Sequence, residues 1–280
     1  MTRTVSEKRA HFRKLHAQGC FILPNPWDIG SARMLASMGF RALATTSAGF
    51  AWSQGRRDNG VTRDMVLAHL REIVSATDLP VNADFEGGFA STPEGVAESV
   101  RMAMATGIAG LSIEDSTGDP SAPLRKVDDA VARIAAARAA IDENGGDTLL
   151  VGRAENFIVG RPDLADTIER LQAYSQAGAD CLYAPGVRTR EDITAVVAAV
   201  APKPFNLLIG WPSELTLNDA AAMGVRRISV GGALARAAWG GFLRAARQIA
   251  AAGRFDAFAD AAPGVELNDV FGSVAGDERH

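Results

Sequence analysis

The chain has 280 residues, 47% hydrophobic and 22% charged, with a formal net charge of −4, which is the profile of a globular protein able to bury a core without disulfides or a structural metal. No Lys/Arg block is denser than Arg56-Arg57, which argues against a nucleic-acid groove, since that would need a basic stripe. No apolar run approaches the roughly 18 residues of a membrane span, and Met1 to Arg13 has charges but no apolar signal core, so the expected location is the cytoplasm with no membrane partner.

A helix over Glu7–Gln18 comes first and is expected to plug the amino-terminal mouth of the fold. Then a short apolar run, a polar or Gly-rich loop and an amphipathic segment repeat eight times. The predicted strands are Phe21–Pro24, Ala42–Thr46, Val81–Asp84, Gly110–Glu114, Leu149–Arg153, Cys181–Ala184, Pro204–Leu208 and Arg227–Val230. They seldom alternate with polar residues, as suits strands covered on both faces. The predicted helices are Ile29–Met38, Arg63–Ser75, Pro93–Ala105, Lys126–Asn144, Asp163–Ala177, Arg190–Val200, Ser213–Met223 and Leu234–Ala251. Thr62 and Thr92 stand as amino-terminal caps, and Gly39, Gly107, Gly145, Gly178 and Gly224 follow helix ends.

Strict alternation implies an α/β fold, a closed (β/α)8 TIM barrel. A doubly wound open sheet is the competitor, but it calls for a Gly-rich fingerprint after the first strand, which Asn25-Pro26-Trp27-Asp28 is not. Past the eighth unit a short helix, Phe255–Ala261, is expected. The domain reading is a single barrel over 1–262 and a polar tail over 263–280, its last dozen residues poorly ordered.

Cys20 and Cys181 read as buried thiols. His11, His16, His69 and His280 lack zinc-ligand spacing. In such a barrel the chemistry gathers in loops after the strands. There the sequence offers Asp58, the run Asp84-Phe85-Glu86-Gly87-Gly88, Glu114-Asp115, Arg153-Ala154-Glu155-Asn156, and Asn206. One carboxylate after a strand is commonly a cap or a solvated loop residue. Several at one mouth repel each other and call for a divalent cation. Mg2+, with Mn2+ as the alternative, takes one or two carboxylates and keeps waters. Asp84 is the candidate direct ligand, with Glu86, Glu114 and Asp58 around it.

Arg153 can grip a substrate carboxylate, or else form a structural salt bridge with Glu155 or Glu114. Ser47, Ala48 and Gly49 offer backbone N–H groups to an anion. Asn206 is a further candidate to bind substrate. Gly231-Gly232 reads either as a phosphate loop or as a plain turn, and Trp27, Trp52, Trp211 and Trp239 as pocket lining or core.

Together these residues resemble the isocitrate lyase/phosphoenolpyruvate mutase superfamily, from Asn25-Pro26-Trp27-Asp28 through Ser31-Ala32-Arg33 to the eighth strand. The most specific pieces are Asp84–Gly88, Ile113-Glu114-Asp115, and Gly152-Arg153-Ala154-Glu155-Asn156-Phe157-Ile158, the last closer to the mutases. Asp58 falls where that family has a loop aspartate, and Gly178-Ala179-Asp180 and Gly224-Val225-Arg226-Arg227-Ile228-Ser229 resemble it too. The resemblance implies a lyase or decarboxylase that uses Mg2+ and backbone amides to hold a small 2-oxo acid and stabilise a pyruvate enolate. Asp58, Glu114 and Arg153 would be its catalytic residues, and Ser47, Ala48, Gly49, Asp84, Arg153 and Asn206 its substrate contacts. It also implies a homo-dimer or homo-tetramer exchanging a helix near the C-terminus.

Family lyases carry a Lys-Arg-Cys-Gly-His loop after the fourth strand. Here Ser116–Lys126 has neither Cys nor His, which disfavours standard isocitrate-type cleavage and leaves Arg125 or Lys126 to act from a lid. A phosphonomutase or phosphonopyruvate hydrolase, and a non-catalytic 2-oxo acid binding protein, are the alternatives.

Overall fold

The computed structural model describes residues 3–275. Helix α1 (Val5–Ala17) opens on a capping box in which Thr4 and Glu7 each accept the other's backbone N–H. Eight strands follow: β1 (Phe21–Leu23), β2 (Leu43–Ala44), β3 (Val81–Asp84), β4 (Gly110–Glu114), β5 (Leu149–Arg153), β6 (Cys181–Tyr183), β7 (Phe205–Leu208) and β8 (Arg227–Ser229). The remaining helices are α2 (Ile29–Ser37), α3 (Ser47–Ser53), α4 (Arg63–Ser75), α5 (Pro93–Met104), α6 (Val127–Asp142), α7 (Leu164–Gln176), α8 (Arg190–Val200), α9 (Leu217–Ala222), α10 (Ala233–Ala252) and α11 (Gly264–Ala275).

The strands pair in parallel in the order β1-β8-β7-β6-β5-β4-β3-β2. Across the remaining seam the Ala44 N–H donates to the Pro24 carbonyl at 3.0 Å. The sheet is thus a nearly closed barrel, the architecture that eightfold alternation predicts. Thr62 and Thr92 cap α4 and α5, and the five glycines after helix ends all have positive φ.

Two apolar volumes hold the barrel together. One lies between the helices and the outside of the sheet, with Leu70, Ile73, Val100, Ile134 and Leu171 fully buried in it. The other fills the barrel's interior, where Phe12 and Leu15 of α1 meet Phe21, Leu23, Leu149, Val151 and Cys181. Helix α1 is therefore a plug. Its fit depends on Gly110, where a Cβ would lie 2.8 Å from the Phe12 ring and 3.0 Å from the Leu149 carbonyl oxygen.

The structure departs from the sequence reading at several helical segments. Residues 47–53, read as a loop of small residues, form α3 because Thr46 caps it through the Gly49 N–H. The helix read from Ser213 begins only at Leu217, where Thr216 and Asp219 build a capping box. The turn at Asp256–Asp260 is 3-10 rather than α-helical. Helix α11 occupies residues where the sequence reading places a polar tail; His280 lies outside the described residues. Of the α10 residues only Ala235 is buried, while Trp239, Phe242, Leu243 and Ile249 are exposed. Among the described residues no helix is long and apolar enough to cross a membrane.

Phe12 is fully buried in the plug. Phe12→Ala should therefore lower unfolding free energy by about 3–5 kcal/mol, read as a lower urea midpoint with an unchanged denaturant slope.

Candidate active site

The strand register decides which side chains meet. Asp84 lies opposite Ser112, Glu114 opposite Arg153, and Arg153 opposite Tyr183. These groups gather at the carboxyl ends of β3–β6, the rim where barrels of this type carry chemistry. A cavity of about 140 Å3 opens there, lined among others by Ser47, Ala48, Asp58, Asp84, Arg153 and Arg227. A wider surface depression of about 690 Å3, bordered by Pro123, Gly160 and Pro162, shares none of these residues.

Asp84 is held from two sides. One oxygen accepts the Ser47 backbone N–H at 2.9 Å and the Ser47 hydroxyl at 2.8 Å, and the other accepts Arg153 Nη1 at 3.0 Å. The Asp84 N–H in turn donates to Thr45 Oγ1. Arg153 also lies 3.2 Å from Glu114 and, through Nε, 2.5 Å from Glu155, with its guanidinium over the Tyr183 ring. Both salt bridges that the sequence reading set against substrate binding are thus formed. Nη2 has no protein partner among the described residues, so the guanidinium still has donors for a ligand.

One guanidinium cannot neutralise Asp84, Glu114 and Glu155 if all three ionise, and the carboxyl groups of Asp58 and Glu86 crowd the same rim. Burial, reinforced by Asp84 and Asp58, pushes the Glu86 carboxyl up to about 8. Burial pushes Glu114 well above the usual carboxylate range, with Arg153 opposing. Asp58 is also raised, first by loss of water and then by Asp84. On Arg153 burial works against the charge, but Glu155 and Glu114 prevail and its proton is held tightly. Loss of water is thus the largest cause on all three acids, and repulsion from neighbouring carboxylates adds to it.

Glu86 shows the strain most directly. Its Oε1 is buried without a hydrogen-bond partner, and its backbone is left-handed at φ 47°, a conformation that costs a side-chain-bearing residue about 1–2 kcal/mol.

These residues suit a cation. Among the described residues no three His, Cys, Asp or Glu side chains converge to hold an ion by themselves, but Mg2+ needs only one or two carboxylates when waters complete its shell. Asp84 and Asp58 on the cavity wall, with Glu86 and Glu114 nearby, match that requirement, and a cation would relieve the raised acids and the orphaned Glu86 oxygen.

Four predicted residues stand off the cavity lining: Glu86 and Glu114, which lie behind its wall, and Gly49 and Asn206. Gly49 serves close packing, since a Cβ there would meet Thr46, Trp27 and Ala235 within 3.2 Å. Asn206 is fully buried, accepting Arg227 Nε and donating to Ser229 Oγ. Gly231 lines the cavity, but its N–H and that of Val230 are committed to Asn25 Oδ1. None of the four tryptophans lines the cavity; Trp211 instead stacks on Arg188.

Sequence reasoning missed Tyr183 and Ser112, which lie in apolar strand runs, and gave Arg227 and Ser229 no role beyond their place in the Gly224–Ser229 stretch. It also left Asp115 without a role. Asp115 is buried and accepts the Glu155 N–H, Arg170 Nη1 and the Tyr174 hydroxyl, which anchors the turn after β5. The Ser116–Lys126 segment folds on itself through a Ser116–Leu124 bridge, with Arg125 beside Gly87 and Lys126 exposed.

A phosphoenolpyruvate phosphomutase family model matches residues 12–250. The chain belongs to that family. It is an enzyme of the isocitrate lyase/phosphoenolpyruvate mutase type. A structure of a candidate lyase/mutase from Burkholderia cenocepacia J2315 is 48% identical, covers 96% of this chain and 97% of that one, and superposes with a TM-score of 0.93. An oxaloacetate acetylhydrolase in complex with the product oxalate is 26% identical over 98% of both chains, with a TM-score of 0.85. An oxaloacetate decarboxylase of Rhodopseudomonas palustris (strain BisB18) is 31% identical over 55% of this chain and 52% of its own.

The raised Glu86 carboxyl carries a sign that can be checked. Its folded pKa exceeds the ordinary value of 4.5, so the folded state binds more protons than the unfolded one between those values, and the group costs stability as pH rises through that window. In EDTA, Glu86→Gln should raise the urea midpoint at pH about 8.5 and change it little at pH about 4.

Proposed function

We propose that this enzyme is a Mg2+-dependent lyase or decarboxylase that acts on a small 2-oxo acid, or on a precursor releasing one, through a pyruvate enolate. The observation that carries this is the excess of carboxylates over cations around Arg153, beside a cavity of small-molecule size. Asp84, with Asp58, Glu86 and Glu114 near it, would hold Mg2+ (or Mn2+), which would supply Lewis-acid chemistry to the 2-oxo group.

The protein's own groups do the rest. Arg153 turns its free Nη2 to the substrate carboxylate while Glu155 and Glu114 keep it charged and oriented. Ser47 and Ala48 bound the space where the negative charge develops, and Ser47 fixes Asp84 by two hydrogen bonds. In decarboxylation the bond to the departing carboxylate breaks, CO2 leaves, and the electron pair stays on the carbon of the enolate, which then takes a proton. That step asks least of a lid. The absence of Cys and His from Ser116–Lys126 therefore favours it over isocitrate-type cleavage.

P–C bond chemistry, by a phosphonomutase or phosphonopyruvate hydrolase, is the second reading and draws its support from the family model. The exposed apolar residues of α10 support a homo-dimer or homo-tetramer, which light scattering of the purified protein reads directly; a monomer would reject it.

A screen of oxaloacetate, phosphonopyruvate and 2-methylisocitrate for pyruvate release should find one substrate whose turnover EDTA abolishes and Mg2+ restores. Asp84→Ala should weaken Mg2+ binding at least about tenfold; unchanged affinity would remove Asp84 from the metal site.

A further inference from the structure

The floor of the same cavity holds a second cation to which neither the family resemblance nor the metal reading gives a role. Arg227 of β8 is 2% exposed, yet it lines the cavity together with Asn82, Ser112 and Ser229. Its partners are all neutral. Nε donates to Asn206 Oδ1 at 2.7 Å, and Nη1 donates to Asn82 Oδ1 and His16 Nε2, both at 3.3 Å.

The His16 tautomer follows from its surroundings. Nδ1 must donate to the Phe12 carbonyl at 2.8 Å, which leaves Nε2 as an acceptor. Burial, then the neighbouring Arg227 charge, lowers the His16 pKa to about 3, so it stays neutral. Among the described residues no carboxylate forms an ion pair with Arg227, and its Nη2 has no protein partner. The nearby Cys181 thiol is no counter-ion either, because burial raises it to about 11.

A buried guanidinium is usually paired with an acid, because an uncompensated charge in a protein interior is costly. Here the barrel interior supplies a cradle of acceptors that orients the group, and the open side of the cradle is the substrate cavity. The two ends of that cavity thus each present an arginine, Arg153 at the rim and Arg227 at the floor.

We propose that Arg227 is a specificity-determining residue that receives a second anionic group of the substrate set at least one carbon from the first, so that the enzyme selects such an acid over one whose anionic oxygens all sit at the rim. The group is a carboxylate or a phosphonate, which share the oxygen chemistry that a guanidinium recognises. The inference deepens the reading of the site as a 2-oxo acid site, and rests on it only for the reaction.

Titration calorimetry with malonate, phosphonoacetate and oxalate in Mg2+ tests it. Oxalate has adjacent carboxylates and reads the rim alone. In Arg227→Gln the affinity for malonate or phosphonoacetate, whichever the wild type binds more tightly, should fall at least about tenfold, while that for oxalate changes less than twofold. Equal losses for all three, or none, would overturn the proposal. If oxalate does not bind the wild type but Arg227-dependent dianion binding persists, the metal reading fails and this one stands. Wild-type crystals soaked in malonate answer the question without a variant, in case Arg227→Gln does not fold. A carboxylate within hydrogen-bond reach of Nη2 is expected, and its absence there rejects the assignment.

Discussion

Arg153 is the interaction on which the candidate site depends. It stands at the end of β5 and touches one carboxylate from β3, one from β4 and one from its own following turn. A single positive charge shared by three acids orients them without neutralising them. With Asp58 and Glu86 beside them, these acids outnumber the cation that orients them, which is the basis for proposing a metal at this rim. A fully paired cluster would be more comfortable and would have nothing left to bind with.

The rest of the fold serves that arrangement. Thr46 starts α3 where its first amide meets Asp84, so a helix terminus and a hydroxyl together aim the carboxylate. Asp115, one residue beyond Glu114, turns away from the cavity and pins the backbone of Glu155 from below, with Arg170 and Tyr174 of α7 completing its shell. Neighbouring residues in one short motif therefore do different work: Glu114 contributes charge at the rim, and Asp115 fixes the geometry behind it. Deeper in the barrel, α1 closes the far mouth with Phe12 and Leu15, and the same helix sends His16 to Arg227. The plug thus stabilises the barrel and shapes the floor of its cavity.

Much of this was legible in the chain. Eight short apolar runs separated by amphipathic segments specify strands buried on both faces, and that periodicity requires only local burial, so the barrel and the extra amino-terminal helix could be read directly. Polar residues at strand ends, from Asp84 to Arg153, stood out because each interrupts an apolar run. Tyr183 and Ser112 did not, and Arg227 and Ser229 showed no role of their own, since within a strand a polar residue facing the barrel axis looks no different from one tolerated by chance. Asn206 was legible as a polar strand residue but not as the partner of Arg227. Nor could Gly49 be told from an anion-binding glycine, because its role is set by Trp27 and Ala235, far away in sequence.

Local chemistry along the chain sets the alternation of elements, their caps and the acids at the strand ends, because helix and strand periods and capping are properties of neighbouring residues. It takes the folded barrel to settle which of those acids share Arg153, that Ser47 is spent on Asp84, and that a buried arginine lies at the cavity floor. Those outcomes depend on the stagger of parallel strands around a closed ring, which brings together residues that no local pattern relates.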